Sequence, residues 1–426
     1  MRRIYIVLTV FSTFLQSFNS TAQLSDENFM RDYVAPDFKL RQLSVNGRSS
    51  GDGFKTELDE QYQFSLGANL NFSKISNNQK YQGTINSAFG FSTNYSSSSI
   101  SPQVLSINAS LQNKMINRFY FNDKWFWGAH DNSFLGLAYA HPFSDTLTGI
   151  GTYLMNFRPA VSIGFGRVEW VQFARQALDI ERSLFQSKRL DESYTEQDRK
   201  LVADKIAQIR NRRYYDFRIG RIDQLQALDS LYAKEGLTNN ADIIYFSELQ
   251  DAYFFSYYTD RLSGFRHELG VVEGIDYSEV NGLTGSETFG FYSFSYFLPQ
   301  SYAIQHNFEL SVMGGIDANL LSSTSDYPVW ADVNYTFGLY PTTRTYLGLT
   351  TTAGFNYDVH AGYICGLSLD TYYYISPRLR FSARAGFQQG DNYFSHSYDH
   401  VAVLNNTRAT KEFDFNFNAG LSFEIF

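Results

Sequence analysis

EFDFNFNAGLSFEIF, residues 412 to 426, is the stretch on which the reading of the whole chain turns. Phe413, Phe415, Phe417, Ala419, Leu421, Phe423 and Ile425 share one parity, and Asp414, Asn416, Asn418, Gly420, Ser422 and Glu424 share the other. A period of two with one wholly apolar face specifies a strand that lays one side in an apolar medium. A tilted bilayer crossing needs about 9 to 11 residues, and this segment is long enough. The closing strand of a soluble sandwich would carry the same pattern, so the rest of the chain has to decide.

Within this stretch Asn418, Gly420, Phe423 and Ile425, followed by the terminal Phe426, resemble the polar-x-Gly-x-x-apolar-x-apolar signal that closes the outer-membrane β-barrels of Gram-negative bacteria, of the Bacteroidota type. The resemblance covers the last strand only. It implies insertion by the barrel-assembly machinery into outer-membrane lipid, and names no functional family.

The other end agrees. Arg2 and Arg3, the apolar run Ile4 to Phe18, and Ser20, Thr21 and Ala22 have the order of a secretory signal peptide, residues 1 to 22, cleaved near Ala22. Cys365 is the one cysteine, so no intrachain disulfide forms. The aromatic share of 17%, with 39 Phe and 31 Tyr, is what two aromatic girdles demand. Mean hydropathy stays below zero because alternate barrel residues face a polar interior. The net charge of −8 argues against nucleic acid as a partner.

Backwards from residue 412, alternation marks eight strands: 265–275, 288–298, 302–320, 329–340, 344–358, 361–374, 378–389 and the last. Their connections are of two kinds. Tight ones carry Pro299, Pro341 and Pro377, and longer ones span 276–287, 322–327 and 390–410. Transmembrane barrels keep short turns on the periplasmic side, so the strand at Phe265 starts there. Before it, residues 169–262 change period. Trp170 to Phe185, Thr195 to Ile209 with a Thr195/Asp198 capping box, Ile222 to Leu231 ending at Gly236, and Ala241 to Asp260 recur at helical spacing. The expectation is a periplasmic α-helical insertion between N-terminal barrel strands (23–168) and C-terminal ones (263–426). Residues 23–35 read as a polar leader, 37–47 as a first strand, 48–56 as a loop and 75–80 as a turn. Strands then follow to Val168, with Pro159 requiring a bulge or a strand start. The fold expected is an all-β transmembrane antiparallel barrel of fourteen strands, or twelve.

Inward parity gathers charge. Arg378, Arg380 and Arg384 oppose Leu379, Phe381 and Ala383, and an arginine on the lipid face near the midplane costs about 2 to 4 kcal/mol. The same parity places Arg266, Glu268, Glu309, Asp332, Arg344, Asp358 and Asp370 inside. Such a ladder selects solutes in a channel or simply fills a closed barrel with paired charge. Of seven histidines, His396 and His400, near Asp391 and Asp399, sit in a long loop whose spacing fixes no metal geometry. No cofactor motif, metal set or Gly-x-Ser-x-Gly occurs, so the chain is read as no enzyme. In the insertion Arg210, Arg212, Arg213, Arg218 and Arg221 flank Tyr214 and Tyr215, either a dock for a periplasmic protein or a solvated helix face. Three roles follow in order: a channel or transporter for small solutes gated or docked at the periplasmic mouth by the insertion, a non-conducting docking barrel, and an interfacial lipid-modifying enzyme.

Overall fold

The computed structural model describes residues 23–55, 60–98, 103–142, 150–212, 217–238, 240–255, 261–279, 282–319, 324–357, 361–376, 379–391, 393–394, 408–409 and 413–423. The expected signal peptide, Pro377, Arg378, Asp358, Arg213, Tyr214, Tyr215, His360, His396, Asp399, His400, Ile425 and Phe426 lie outside them. Helix α1 (Gln23–Asp32) leads into β1 (Phe38–Lys55), β2 (Glu60–Asn78), β3 (Tyr81–Ser98), β4 (Val104–Tyr120), β5 (Trp125–Pro142), β6 (Ile150–Phe157) and β7 (Pro159–Trp170). Four helices follow: α2 (Gln172–Gln186), α3 (Glu196–Arg210), α4 (Phe217–Glu235) and α5 (Ile243–Phe255). The chain then returns to strand in β8 (Leu262–Ser278), β9 (Gly282–Ser301), β10 (Ile304–Asn319), β11 (Thr324–Asp326), β12 (Val329–Thr342), β13 (Thr345–Tyr357), β14 (Ala361–Ser376) and β15 (Leu379–Asp391). A small ladder of β16 (Tyr393–Phe394) with β17 (Arg408–Ala409) precedes β18 (Phe413–Phe423).

Each main strand pairs antiparallel with its neighbours, in the order β1-β2-β3-β4-β5-β6-β8-β9-β10-β12-β13-β14-β15-β18. Strands β6 and β7 share one lane between β5 and β8, interrupted at Arg158. Proline has no N–H to give a ladder, and Pro159 accordingly opens the second half of that lane. The sheet curls into a barrel-like wall, because one helical layer touches strands all round it. Asn211 accepts from the Lys39 amide of β1 (2.8 Å), Arg175 lies over Tyr340 of β12 (4.5 Å) and Phe255 meets Tyr374 of β14 (6.3 Å between ring centres).

The wall is wet and dry on the sides that parity predicts. Leu66, Leu70, Phe89, Leu111, Leu137, Val161, Ile163, Leu269 and Leu369 point outward and are exposed. Near the short turns, outward aromatic rings run in contact from Tyr81 and Phe119 to Trp127 (4.3 Å, stacked). Others join Trp125 to Phe165 and Phe265, and His267 to Phe294 and Phe308. A second row, Tyr139 with His141 and Tyr153 with Tyr277, lies towards the long loops. Tyr139 is twelve residues beyond Trp127 on β5, which at barrel rise and tilt separates the rows by about 30 Å.

Four expectations are corrected. Residues 48–55 are strand and not loop, because β2 supplies a partner for every one of them, from Arg48 opposite Gly67 to Lys55 opposite Glu60. The turn expected over 75–80 shrinks to Gln79 and Lys80, since β2 continues to Asn78. The polar leader contains α1, whose Phe29 and Met30, with Tyr33 beyond it, are buried in the core of the helical layer; tertiary burial decides a segment with no period of its own. The interior is not uniformly polar either. Phe289, Phe291, Met313 and Trp330 face inward and pack with Ala160 and Val272 as a dry cluster.

The helices share one core of Phe173, Ala174, Leu178, Val202, Ile206, Leu228, Tyr232, Tyr245, Leu249 and Tyr253, closed by Phe38, Trp170 and Tyr302 from strand ends. Thr195 and Asp198 form the expected capping box, and Gly236 follows α4 at φ +68°. Where sheet hands over to helix, Gly264 stands at φ +108°, and a Cβ there would run into the Arg167 carbonyl.

Two carboxylates in this layer titrate in opposite senses. Burial raises the Asp204 carboxyl, against the pull of the Tyr33 hydroxyl that donates to it (3.1 Å) and of Lys200. Asp242, ahead of α5, is held down to about 2 by Arg189 and by the Tyr245 amide. A raised carboxyl favours the folded state fully below its unfolded value and loses that as pH rises through the folded value. A depressed one contributes above the unfolded value and loses it as pH falls through the folded value. Hydrogen exchange, corrected for intrinsic rates, is therefore expected to slow in α1 and α3 between neutral and mildly acid pH. The start of α5 should hold its protection until the pH approaches about 2.

Candidate lumen site

The inward faces of β4, β5, β7 and β8 converge on Glu268, which is 2% exposed. Arg118 donates Nη2 (2.8 Å) and Nε (3.0 Å) to its Oε2, the Ser162 hydroxyl donates to Oε1 (2.6 Å), and His130 Nε2 lies 2.6 Å from the same Oε1. Arg266 Nε approaches Oε2 at 3.8 Å. Gly128 makes the room: a Cβ there would collide with Ser162 and His130 and press on Glu268. Serine, histidine and glutamate are the residue types of a hydrolytic triad, but the order differs. A relay needs the carboxylate on one ring nitrogen and the hydroxyl on the other. Here Ser162 (3.1 Å) and Glu268 meet the same Nε2, and the serine hydroxyl donates its hydrogen bond to the carboxylate. The chemistry is that of a lock, with one anion holding two arginines across several strands.

Below the lock, towards the helices, Gln82 donates to Asn77 Oδ1 (2.9 Å) and the Val168 carbonyl (2.8 Å), and Tyr120 donates to Gln82 (2.9 Å). Lower still, α2 is buried on every side from Gln172 to Glu181: Phe173, Ala177 and Leu178 face the helical core, and Arg175, Gln176 and Asp179 are enclosed with them. Arg182 lies over Tyr302 at the β9–β10 turn (3.5 Å), and Arg261, wholly buried, binds that turn by four hydrogen bonds. The helices thus close the short-turn mouth, the end to which the order of connections assigned them.

The adjoining wall differs. Inward positions of β2 to β4 form cross-strand rows: Ser73–Asn86–Lys114, Asn71–Ala88–Gln112, Asn69–Gly90–Ser110 and Gly67–Ser92–Asn108. Amide and hydroxyl dominate, with one charge. A cavity of about 340 Å³ opens on this wall, lined by Gln42, Asn71, Ser73, Asn86, Gln112 and Lys114 among others.

The expected ladder therefore resolves into separate pieces. Arg266 joins the Glu268 lock. Asp332 is buried at 3% and Glu309 lies inward on β10, both away from the arginines of β15. Arg384 pairs with Asp370 across β14 and β15, and Arg380 donates to the Tyr374 hydroxyl (3.3 Å). Arg344 sits in the turn after β12, beyond the end of the ladder, where it pairs with Asp251 of α5 and lies over Phe255 (4.0 Å). Two of the insertion's arginines pack inward too, Arg210 over Tyr253 (4.2 Å) and Arg221 over Phe254 (4.5 Å). Of the closing signal, Asn418 opposes Arg384, Gly420 opposes Ser382 and Phe423 opposes Leu379. Sequence reasoning missed Arg118, His130 and Ser162, although all three carry inward parity.

No family model matches the chain, and no curated protein does. Similar solved structures include the translocator domain of autotransporter NalP from Neisseria meningitidis (6% identity, 94% of this chain and 93% of that one, TM-score 0.27). CdiB from Acinetobacter baumannii aligns at 8% identity over 90% and 66% (TM-score 0.31), and the outer membrane protein OmpT of Vibrio cholerae at 7% over 91% and 100% (TM-score 0.30).

Proposed function

We propose that this chain spans a Gram-negative outer membrane as a β-barrel that passes small, neutral, polar solutes, and that its helices gate the periplasmic mouth. The outward apolar wall between two aromatic rows supports the membrane location, since an open sheet edge in lipid leaves backbone groups unsatisfied and strands there close into barrels. Export by signal peptide, assembly by the barrel machinery and the absence of enzymatic activity belong to the same reading. One observation carries the transport role: an amide-and-hydroxyl wall, with Lys114 its one charge, bears a cavity of about 340 Å³ above a mouth filled by α2. Such a wall, amide and hydroxyl apart from one ammonium, can donate to and accept from an uncharged polar solute.

The test is conductance in planar bilayers together with sugar-driven liposome swelling, on the whole protein and on a version with Gln172–Phe255 replaced by a short linker. Swelling that appears or rises severalfold on removal of the helices is expected. A folded barrel that admits neither ions nor sugars in both forms overturns the transport role. It would favour the docking reading, for which Ile243 (85% exposed), Ile222 and Ile219 offer an apolar helical surface to a periplasmic protein.

A further inference from the structure

The outward wall carries charges that a lipid-facing surface does not need. Along one cross-strand row, Arg41 opposes Lys74, Lys74 opposes Ile85, Ile85 opposes Met115, and Met115 opposes Asp131. All five share the outward parity of Leu70, Phe89 and Leu111. The row begins with two cations on β1 and β2 and reaches an anion on β5. Glu273, outward on β8, adds a second anion beyond it, accepting from Thr288 (2.7 Å).

Asp131 is held in place. Ser133 donates to one of its oxygens (2.6 Å) and Asn113 to the other (3.1 Å), and Ser87 donates to Asn113 (2.8 Å). These are neutral donors, and among the described residues no cation pairs with the charge itself. Asp131 also stands four residues above the Trp127 girdle, about 10 Å into the apolar band. Among the described residues neither Arg41 nor Lys74 makes an ion pair. Lone charges on a lipid face are unfavourable in a depth-dependent way; cations near the rim can snorkel to the headgroups, but a short aspartate at this depth cannot.

We propose that this face pairs with a second copy of the same chain, the β1–β2 cations of one meeting the β5–β8 anions of the other. The inference rests on the membrane-spanning reading. A twofold axis along the membrane normal relates two facing walls so that the leading strands of one oppose the trailing strands of its partner. Lys74 lies four residues and Asp131 six residues from the short-turn ends of their strands, at Asn78 and Trp125, a difference in height that the long lysine side chain can span. Between the charge pairs, Ile85 and Met115 of the two copies face each other as the apolar centre. Each copy thus carries both halves of the complementarity, which a partner of one charge sign would not satisfy.

The experiment uses outer membranes from cells making the full chain with Cys365→Ser, so that introduced cysteines are the only thiols. Lys74→Cys with Asp131→Cys is expected to give a disulfide-linked dimer, while two cysteines three strands apart in one wall are too far from each other to join. Lys74→Glu or Asp131→Lys alone is expected to abolish the dimer seen by native mass spectrometry, and the two together to restore it. Heat-modifiable migration reports folding in each case, so a failed barrel is distinguished from a failed interface; a reversal that does not fold is replaced by Lys74→Gln or Asp131→Asn. A folded wild type that is monomeric in native spectra and gives no cross-link, or a double reversal no better than either single one, overturns the proposal.

Discussion

Replacing Arg261 with alanine is expected to unclasp the helical layer from the barrel. The Arg261 guanidinium is fully buried and donates Nε to Gln305 (2.9 Å), Nη1 to the Tyr302 carbonyl (2.8 Å) and Nη2 to the carbonyls of Ser301 (2.8 Å) and Ile304 (2.9 Å). It also lies over Tyr340 (4.5 Å), and its own carbonyl accepts from Val171, tying the two ends of the insertion together. A hydrogen bond from a charged donor contributes roughly 1.5 to 3 kcal/mol, and each buried acceptor left without a donor costs about 1 to 3 kcal/mol. Alanine loses the first and incurs the second at three main-chain carbonyls in one turn. Arg261→Lys keeps the charge but reaches one or two of the four acceptors, lacking the planar fork. The order wild type, lysine, alanine is expected in resistance of the 172–255 segment to limited proteolysis. The reverse order is expected in conductance, because the gate and the clasp are the same contact. An alanine variant as protease-resistant as the wild type would remove Arg261 from this role.

That clasp shows what a one-dimensional pattern can and cannot carry. Period two and period 3.6 separate wall from helices because a strand's face and a helix's stripe each repeat within a few residues. Parity counted along the C-terminal strands even assigned the helices to the short-turn end. The same parity told which residues point inward but not how far around the wall they stand from each other. Arg266 and Glu268 looked like rungs of one ladder with Arg380 and Arg384, yet they lie on β8 and β15, and their partners come from β4 and β5. Contacts across a lumen depend on strand stagger, which no local pattern records. Arg344 stands one residue beyond the last ladder pair, where parity no longer defines a face and the helical layer supplies its partner. The aromatic interior of β9 was legible as apolar on both faces, but an expectation of a wet lumen obscured it.

The largest effect in the wall itself is expected from Glu268→Ala. That carboxylate is the common acceptor for Arg118, His130 and Ser162, with Arg266 close by. Its removal leaves the buried Arg118 and the half-buried Arg266 facing one another, with only Glu309 among the described carboxylates still acting on Arg266. Breaking a buried ion pair from one side costs about 3 to 5 kcal/mol, because the remaining charge stays desolvated. Glu268→Gln retains volume and an acceptor oxygen but cannot neutralise either arginine, so it should fall between. The informative comparison is the pair Arg118→Met with Glu268→Leu. If the lock stabilises through charge pairing, the double variant unfolds at a higher temperature than Glu268→Ala, since it removes both the anion and one of the cations facing it. If the residues act independently, the two single losses add. Heat-modifiable migration and thermal unfolding in detergent read this out. Conductance of the same variants then shows whether the lock also bears on passage: with the helices removed, a solute path confined to the amide wall of β2 to β4 is indifferent to Glu268, whereas a path through the centre of the lumen widens when it is lost.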